Sequence, residues 1–152
     1  MIQSNANSVP GSVTPLDQGL VGCEWAVDAI GCDAFRLREP FLLQSVCQRI
    51  IRQLELHVVG QPLWHQFPEP GGVTGLYLLS ESHLACHTYP EYGVATFNLY
   101  CCRKIAQWPW LHELSTALGA GHVNIQEIPR GGLANTIGTA DFMWRETEGQ
   151  QL

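Results

Sequence analysis

At 152 residues, with 45% hydrophobic and 14% charged side chains, the chain suits one compact domain and is too apolar to stay disordered. Its net charge of −6, with only eight scattered Lys and Arg, excludes a phosphate-binding surface, so no nucleic-acid partner is expected. No run of about 18 apolar residues is present to span a membrane, and the polar start MIQSNANSVPGSVTPLDQG lacks the basic and apolar regions of a signal peptide. A cytoplasmic protein with no membrane partner is expected, its thiols kept reduced. The six cysteines (Cys23, Cys32, Cys47, Cys86, Cys101 and Cys102) contain no CxxC spacing, which argues against a zinc site.

Residues 1–20 are rich in Ser, Asn, Pro and Gly and read as a flexible tail. Cys23 to Ile30 is a short apolar run stopped by Gly31, as a first strand would be. Pro40 stands where a helix can begin without losing a needed N–H. Behind it Leu43, Val46, Cys47, Ile50, Ile51 and Leu54 recur at three- and four-residue spacing, predicting a helix over 40–56. His57–Phe67 and Val73–Leu79 read as strands around the Pro/Gly-rich PEPGG. Ser82–Thr88 reads as a strand before the YPEYG turn, and Val94–Cys102 alternates Ala95, Phe97 and Leu99 against Val94, Thr96, Asn98 and Tyr100. Pro109 opens a second helix with Trp110, Leu111, Leu114 and Leu118 on one stripe, ended by Gly119 and Gly121. Val123–Ile128 closes as a strand, and 132–152 form a polar C-terminal tail. Two helices and several strands predict an α+β two-layer sandwich over 21–131: an antiparallel sheet covered by two helices.

Chemistry concentrates in Leu78–Gly93, LLSESHLACHTYPEYG, which packs two serines, two histidines and two glutamates into one span. His83 and His87 are four apart, but on a strand and without the carboxylate of HExxH, so no metal is expected. On a strand, positions 83, 85 and 87 share a face. His83 reads either as a satisfied structural histidine or as a direct participant.

This window resembles the prokaryotic S-adenosylmethionine decarboxylase proenzymes, whose signature is close to ESHxxxHTWPEYG. The resemblance extends to GCEWAVDAIGCD (Gly22–Asp33), GVTG (Gly72–Gly75), Cys101-Cys102 and EIPRG (Glu127–Gly131), in the family's order. It implies a proenzyme cut between Glu81 and Ser82, with residues 1–81 becoming the β chain. Residues 82–152 become the α chain, headed by a pyruvoyl group made from Ser82. That group would form a Schiff base with the substrate amine and act as electron sink. The resemblance further implies S-adenosylmethionine as substrate, a product used as aminopropyl donor in spermidine synthesis, and a homodimer of cleaved protomers.

Residue by residue, the resemblance makes His87 the proton-transfer residue of processing and Thr74 its assistant. Cys102 would be the acid that reprotonates the substrate carbon, with Cys101 on the opposite face of the strand. Phe67 would stack on adenine and Glu91 would accept from the ribose hydroxyls. Tyr89 or Trp64 would offer a π face to the sulfonium. Three positions depart from the commoner pattern: Tyr89 for tryptophan, Cys23-Glu24 for a basic pair, and Gln66 before Phe67. Glu24 could pair with a distal ammonium or guanidinium, which makes an ornithine or arginine decarboxylase the first alternative. A silent regulatory paralogue is the second.

Overall fold

A computed structural model describes residues 21–131; both predicted tails lie outside the described residues. Six strands and two helices follow in the order β1 (Gly22–Ile30), α1 (Pro40–Gln53), β2 (Leu63–Gln66), β3 (Val73–Leu79), β4 (Ser82–Tyr89), β5 (Val94–Cys101), α2 (Trp110–Leu118) and β6 (His122–Arg130). The strands form one antiparallel sheet in spatial order β2-β3-β4-β5-β1-β6. The predicted α+β two-layer sandwich is therefore the observed architecture.

Period-two alternation sorts the sheet into two faces. Trp25, Val27, Tyr77, Leu84, Phe97 and Leu99 point to the side covered by the helices and are buried. Leu43, Val46, Cys47 and Ile50 of α1, with Trp110, Leu114 and Leu118 of α2, supply the opposing layer. Each such fully buried Leu or Ile contributes about 1.5–3 kcal/mol relative to exposure. Among the described residues no helix covers the other face. There Thr74 pairs with His87, which pairs with Thr96, while Ala85 pairs with Asn98 and His83 with Tyr100.

Four local expectations need correction. The first helix stops at Gln53 rather than Leu56, because Leu54 leaves helical geometry and Glu55 has φ 53°. Only Leu63–Gln66 of the predicted strand 57–67 joins the sheet as a strand; residues 57–62 touch it through one bridge, Val58 to Leu79. Gly60 at φ 73° and Pro62, which has no N–H to donate, interrupt that ladder. In α2 the buried stripe is Trp110, Leu114 and Leu118, and Leu111 lies about one residue-step around the helix, exposed. The fifth strand ends at Cys101, leaving Cys102 exposed just beyond it. Among the described residues no helix is long and apolar enough to cross a membrane.

Candidate active site

Strands β3 and β4 are joined by Ser80 and Glu81 alone, the shortest common hairpin connection. The tightness has two results. Ser82 is forced to φ 142°, a region that side chains other than glycine avoid and that costs on the order of 1–3 kcal/mol. Glu81 is turned inward, and its side chain is only 7% exposed.

The buried Glu81 carboxylate is held on several sides. The backbone N–H of His57 donates to it at 3.1 Å, the His57 ring Nδ1 lies 2.9 Å away, and Arg103 approaches to 3.6 Å. Burial by itself pushes the Glu81 carboxyl up, but the bonds from His57 outweigh it and hold the group down at about 2. The Glu81 carbonyl oxygen accepts a hydrogen bond from the Cys102 N–H at 2.8 Å. Ser82, Glu81 and Cys102 thus meet in one place. Cys101 faces the core, where burial raises its thiol to about 11, so it is a structural thiol and a poor acid.

Thr74 and His87 meet at a different place. Thr74 Oγ1 lies 2.6 Å from His87 Nδ1. Phe67 and Tyr89 flank the same imidazole edge-on, with ring centroids 5.6 and 4.4 Å away. Glu91 follows Tyr89 by two residues and is exposed in the single turn Pro90–Tyr92. This group shares the open face, but His87 is five residues along β4 from Ser82, roughly 17 Å at the rise of a strand. His87 therefore does not sit beside Ser82 within one chain. Trp64 pairs with Gly75 on the helix-covered side, where a Cβ at 75 would collide with its indole. It packs against the core and is not part of the open-face group.

A third set of side chains runs across the open face from Ser82. Ser82 Oγ is 3.1 Å from His83 Nδ1, and His83 Nε2 is 3.2 Å from Asn98 Oδ1. Asn98 Nδ2 donates to Glu24 Oε1 at 2.5 Å, and Arg130 pairs with Glu24 Oε2. Glu24, expected at the distal cation of a substrate, thus has both oxygens engaged by its own chain. The Asn98 bond, against the opposing effect of burial and with help from Arg130, holds the Glu24 carboxyl below its ordinary value.

His57, Arg103, Asn98 and Arg130 are the site residues that sequence reasoning missed. Asn98 left a signal: a polar, poor strand former at an outward position in the middle of an alternating strand. Among the described residues no group of three His, Cys, Asp or Glu is placed to hold a metal. A concavity between α2 and β6, lined by Trp108, His112 and Ile125, contains none of the predicted site residues.

The fold and site define a two-layer α+β sandwich with one sheet face left bare among the described residues and a strained serine at a hairpin tip. The family model described as S-adenosylmethionine decarboxylase matches residues 23–131, and the chain belongs to that family. The S-adenosylmethionine decarboxylase proenzyme of Acidithiobacillus ferrooxidans is 35% identical over 112 residues, covering 73% of this chain and 83% of the relative. That of Acetivibrio thermocellus is 31% identical over 113 residues, covering 74% and 90%. Among solved structures, the adenosylmethionine decarboxylase of Aquifex aeolicus matches with a TM-score of 0.64 at 25% identity, covering 88% of this chain and 99% of that one.

Proposed function

We propose that this chain is a proenzyme that cuts itself between Glu81 and Ser82, turns Ser82 into a pyruvoyl group, and decarboxylates S-adenosylmethionine. The observation that carries the reading is the geometry of the Glu81–Ser82 bond. Its serine is at a strained φ, its acyl residue is clamped, and its carbonyl oxygen already accepts from the Cys102 N–H.

Processing needs nothing beyond the chain and water. Ser82 Oγ attacks the Glu81 carbonyl carbon, and the amide becomes an ester with a free Ser82 amine. The Cys102 N–H is placed to stabilise the charge that develops on the carbonyl oxygen. Loss of the Ser82 α-proton then expels the main-chain carboxylate of Glu81 as the new C-terminus, and the dehydroalanine left behind hydrolyses to pyruvoyl and ammonia. The strained Ser82 at the head of β4, next to an exposed thiol, fits such a group. When present, it supplies a carbonyl that draws off the electron pair left as CO2 departs. Cys102 is the acid on hand to return a proton to the substrate carbon.

Thr74, His87, Phe67, Tyr89 and Glu91 form the second half of the site. Phe67 and Tyr89 offer ring faces to an adenine and a sulfonium, and Glu91 offers two acceptor oxygens to ribose hydroxyls. Because these residues lie far along β4 from Ser82, a second copy packed open face to open face supplies them. The exposure of Leu63, Leu76 and Leu78 on that face supports this homodimer, since a bare apolar patch calls for a cover. The product serves as an aminopropyl donor for spermidine synthesis. Six free cysteines favour a reducing, cytoplasmic setting.

The engagement of Glu24 by Asn98 and Arg130 leaves no free carboxylate there for a distal ammonium, which favours the nucleoside over ornithine or arginine. Intact mass of the purified full chain tests the reading: two fragments divided at 81/82 are expected, the downstream one blocked to Edman degradation. Release of CO2 from labelled S-adenosylmethionine should exceed release from ornithine or arginine. An uncut chain, or release from an amino acid alone, overturns it.

A further inference from the structure

We propose that His83 is the base that activates the Ser82 hydroxyl for self-cleavage, set in the required tautomer by a relay of Asn98, Glu24 and Arg130. The proposal rests on the self-cleavage reading above and assigns it a residue other than His87.

The relay crosses four neighbouring strands, β4, β5, β1 and β6, and its polarity can be read from its far end. Glu24 is held as a carboxylate, so both of its oxygens only accept. Arg130 donates to one of them. The Asn98 atom facing the other must therefore be the amide nitrogen, which turns Asn98 Oδ1 toward His83. That oxygen can only accept, so His83 Nε2 carries the proton. Nδ1 is then the bare nitrogen, and it lies 3.1 Å from Ser82 Oγ. The Tyr100 ring lies 5.9 Å from the His83 ring, with the Arg130 guanidinium 5.6 Å from its centroid, and walls this row on the open face.

The step balances within the chain. The Ser82 hydroxyl proton passes to His83 Nδ1 as Oγ bonds to the Glu81 carbonyl carbon. The Glu81–Ser82 carbon–nitrogen bond breaks, and the same proton returns from Nδ1 to the departing Ser82 nitrogen. Amide has become ester plus amine, with no outside reagent. A serine hydroxyl needs such help near neutral pH, and within one chain His87 lies too far along β4 to give it. His87 is left for the later removal of the Ser82 α-proton when a second copy delivers it.

The test follows cleavage of freshly purified full-length chains on denaturing gels, with folding checked by circular dichroism. The parent should cut. His83→Ala should fold and cut at least about a hundredfold more slowly, the usual scale for loss of a positioned base, and added imidazole should restore cutting. If His83→Ala does not fold, the similarly sized His83→Gln takes its place and should stay uncut. Asn98→Ala should slow cutting about tenfold, which is about 1.4 kcal/mol in barrier. The exchanged pair Asn98→Asp with Glu24→Gln should recover it. The amide then placed at position 24 can donate to the carboxylate placed at position 98, which still accepts from His83 Nε2. A histidine variant that cuts at the parent rate, or a folded His83→Ala that imidazole cannot rescue, overturns the assignment while leaving self-cleavage intact. Asn98→Ala at the parent rate overturns the relay. A parent that never cuts overturns both the assignment and the reading beneath it.

Discussion

The backbone N–H of Cys102 donates to the carbonyl oxygen of Glu81 at 2.8 Å, so on the proposed function one residue would offer its amide to cleavage and its thiol to decarboxylation. The two roles are separable, because a side-chain substitution leaves the amide in place. Cys102→Ala should cut at the parent rate yet decarboxylate about a hundredfold more slowly, the loss expected for a general acid. Gel analysis and CO2 release, run on the same preparation, check both halves.

Ser82 carries its strain before any chemistry occurs. Ser82→Ala and Ser82→Gly should both remain single uncut chains, but glycine accepts φ 142° at far lower cost. Ser82→Gly should therefore be the more stable of the two by about 1 kcal/mol, seen as a melting temperature higher by about 4 °C. Equal melting temperatures would mean that the hairpin tip stores no strain.

The short contact between Thr74 Oγ1 and His87 Nδ1 places the proposed processing role of Thr74 on its hydroxyl rather than on the shape of its side chain. Thr74→Val removes the hydroxyl and keeps the volume; it should slow the appearance of pyruvoyl about tenfold. Thr74→Ser should behave as the parent. Borohydride reduction in the presence of substrate, followed by mass analysis, reports the pyruvoyl fraction.

Glu81 gives the uncut protein an acid-sensitive contact. Its folded value of about 2 lies below the ordinary 4.5. The unfolded chain therefore takes up the proton first, and the contact stabilises fully above about pH 5 and fades as pH falls toward about 2. Urea unfolding of Ser82→Ala across that range should show a steeper acid loss than the double variant that also carries Glu81→Gln.

Much of the fold was legible because apolar periodicity tracks burial: α1, β3 and β5 follow their patterns closely. Two of the boundaries that moved are those where a backbone effect outweighed the pattern, at Glu55 and at Gly60 with Pro62. At the site, the motif around Ser82 marked the chemical residues but not their separation. The five-residue step from Ser82 to His87, taken with the strand assignment, already implied a distance too long for direct contact. Asn98, Glu24 and Arg130 were harder to see. Their partnership depends on which strands are neighbours, and β1 lying between β5 and β6 is a fact of topology that no local spacing records.

That placement of β1 also decides what would follow the proposed cut at the 81/82 bond. β1 belongs to the upstream fragment, whereas β5 and β6 on either side of it belong to the downstream one. The upstream piece is gripped by eight residue pairs along β5 and nine along β6, in addition to the β3–β4 ladder. Fragments divided there would be dovetailed, so the severed pieces would remain one body with the new chain ends in register. On the proposed function, maturation would cut the polypeptide without dividing the molecule, since neither fragment would hold the whole sheet by itself.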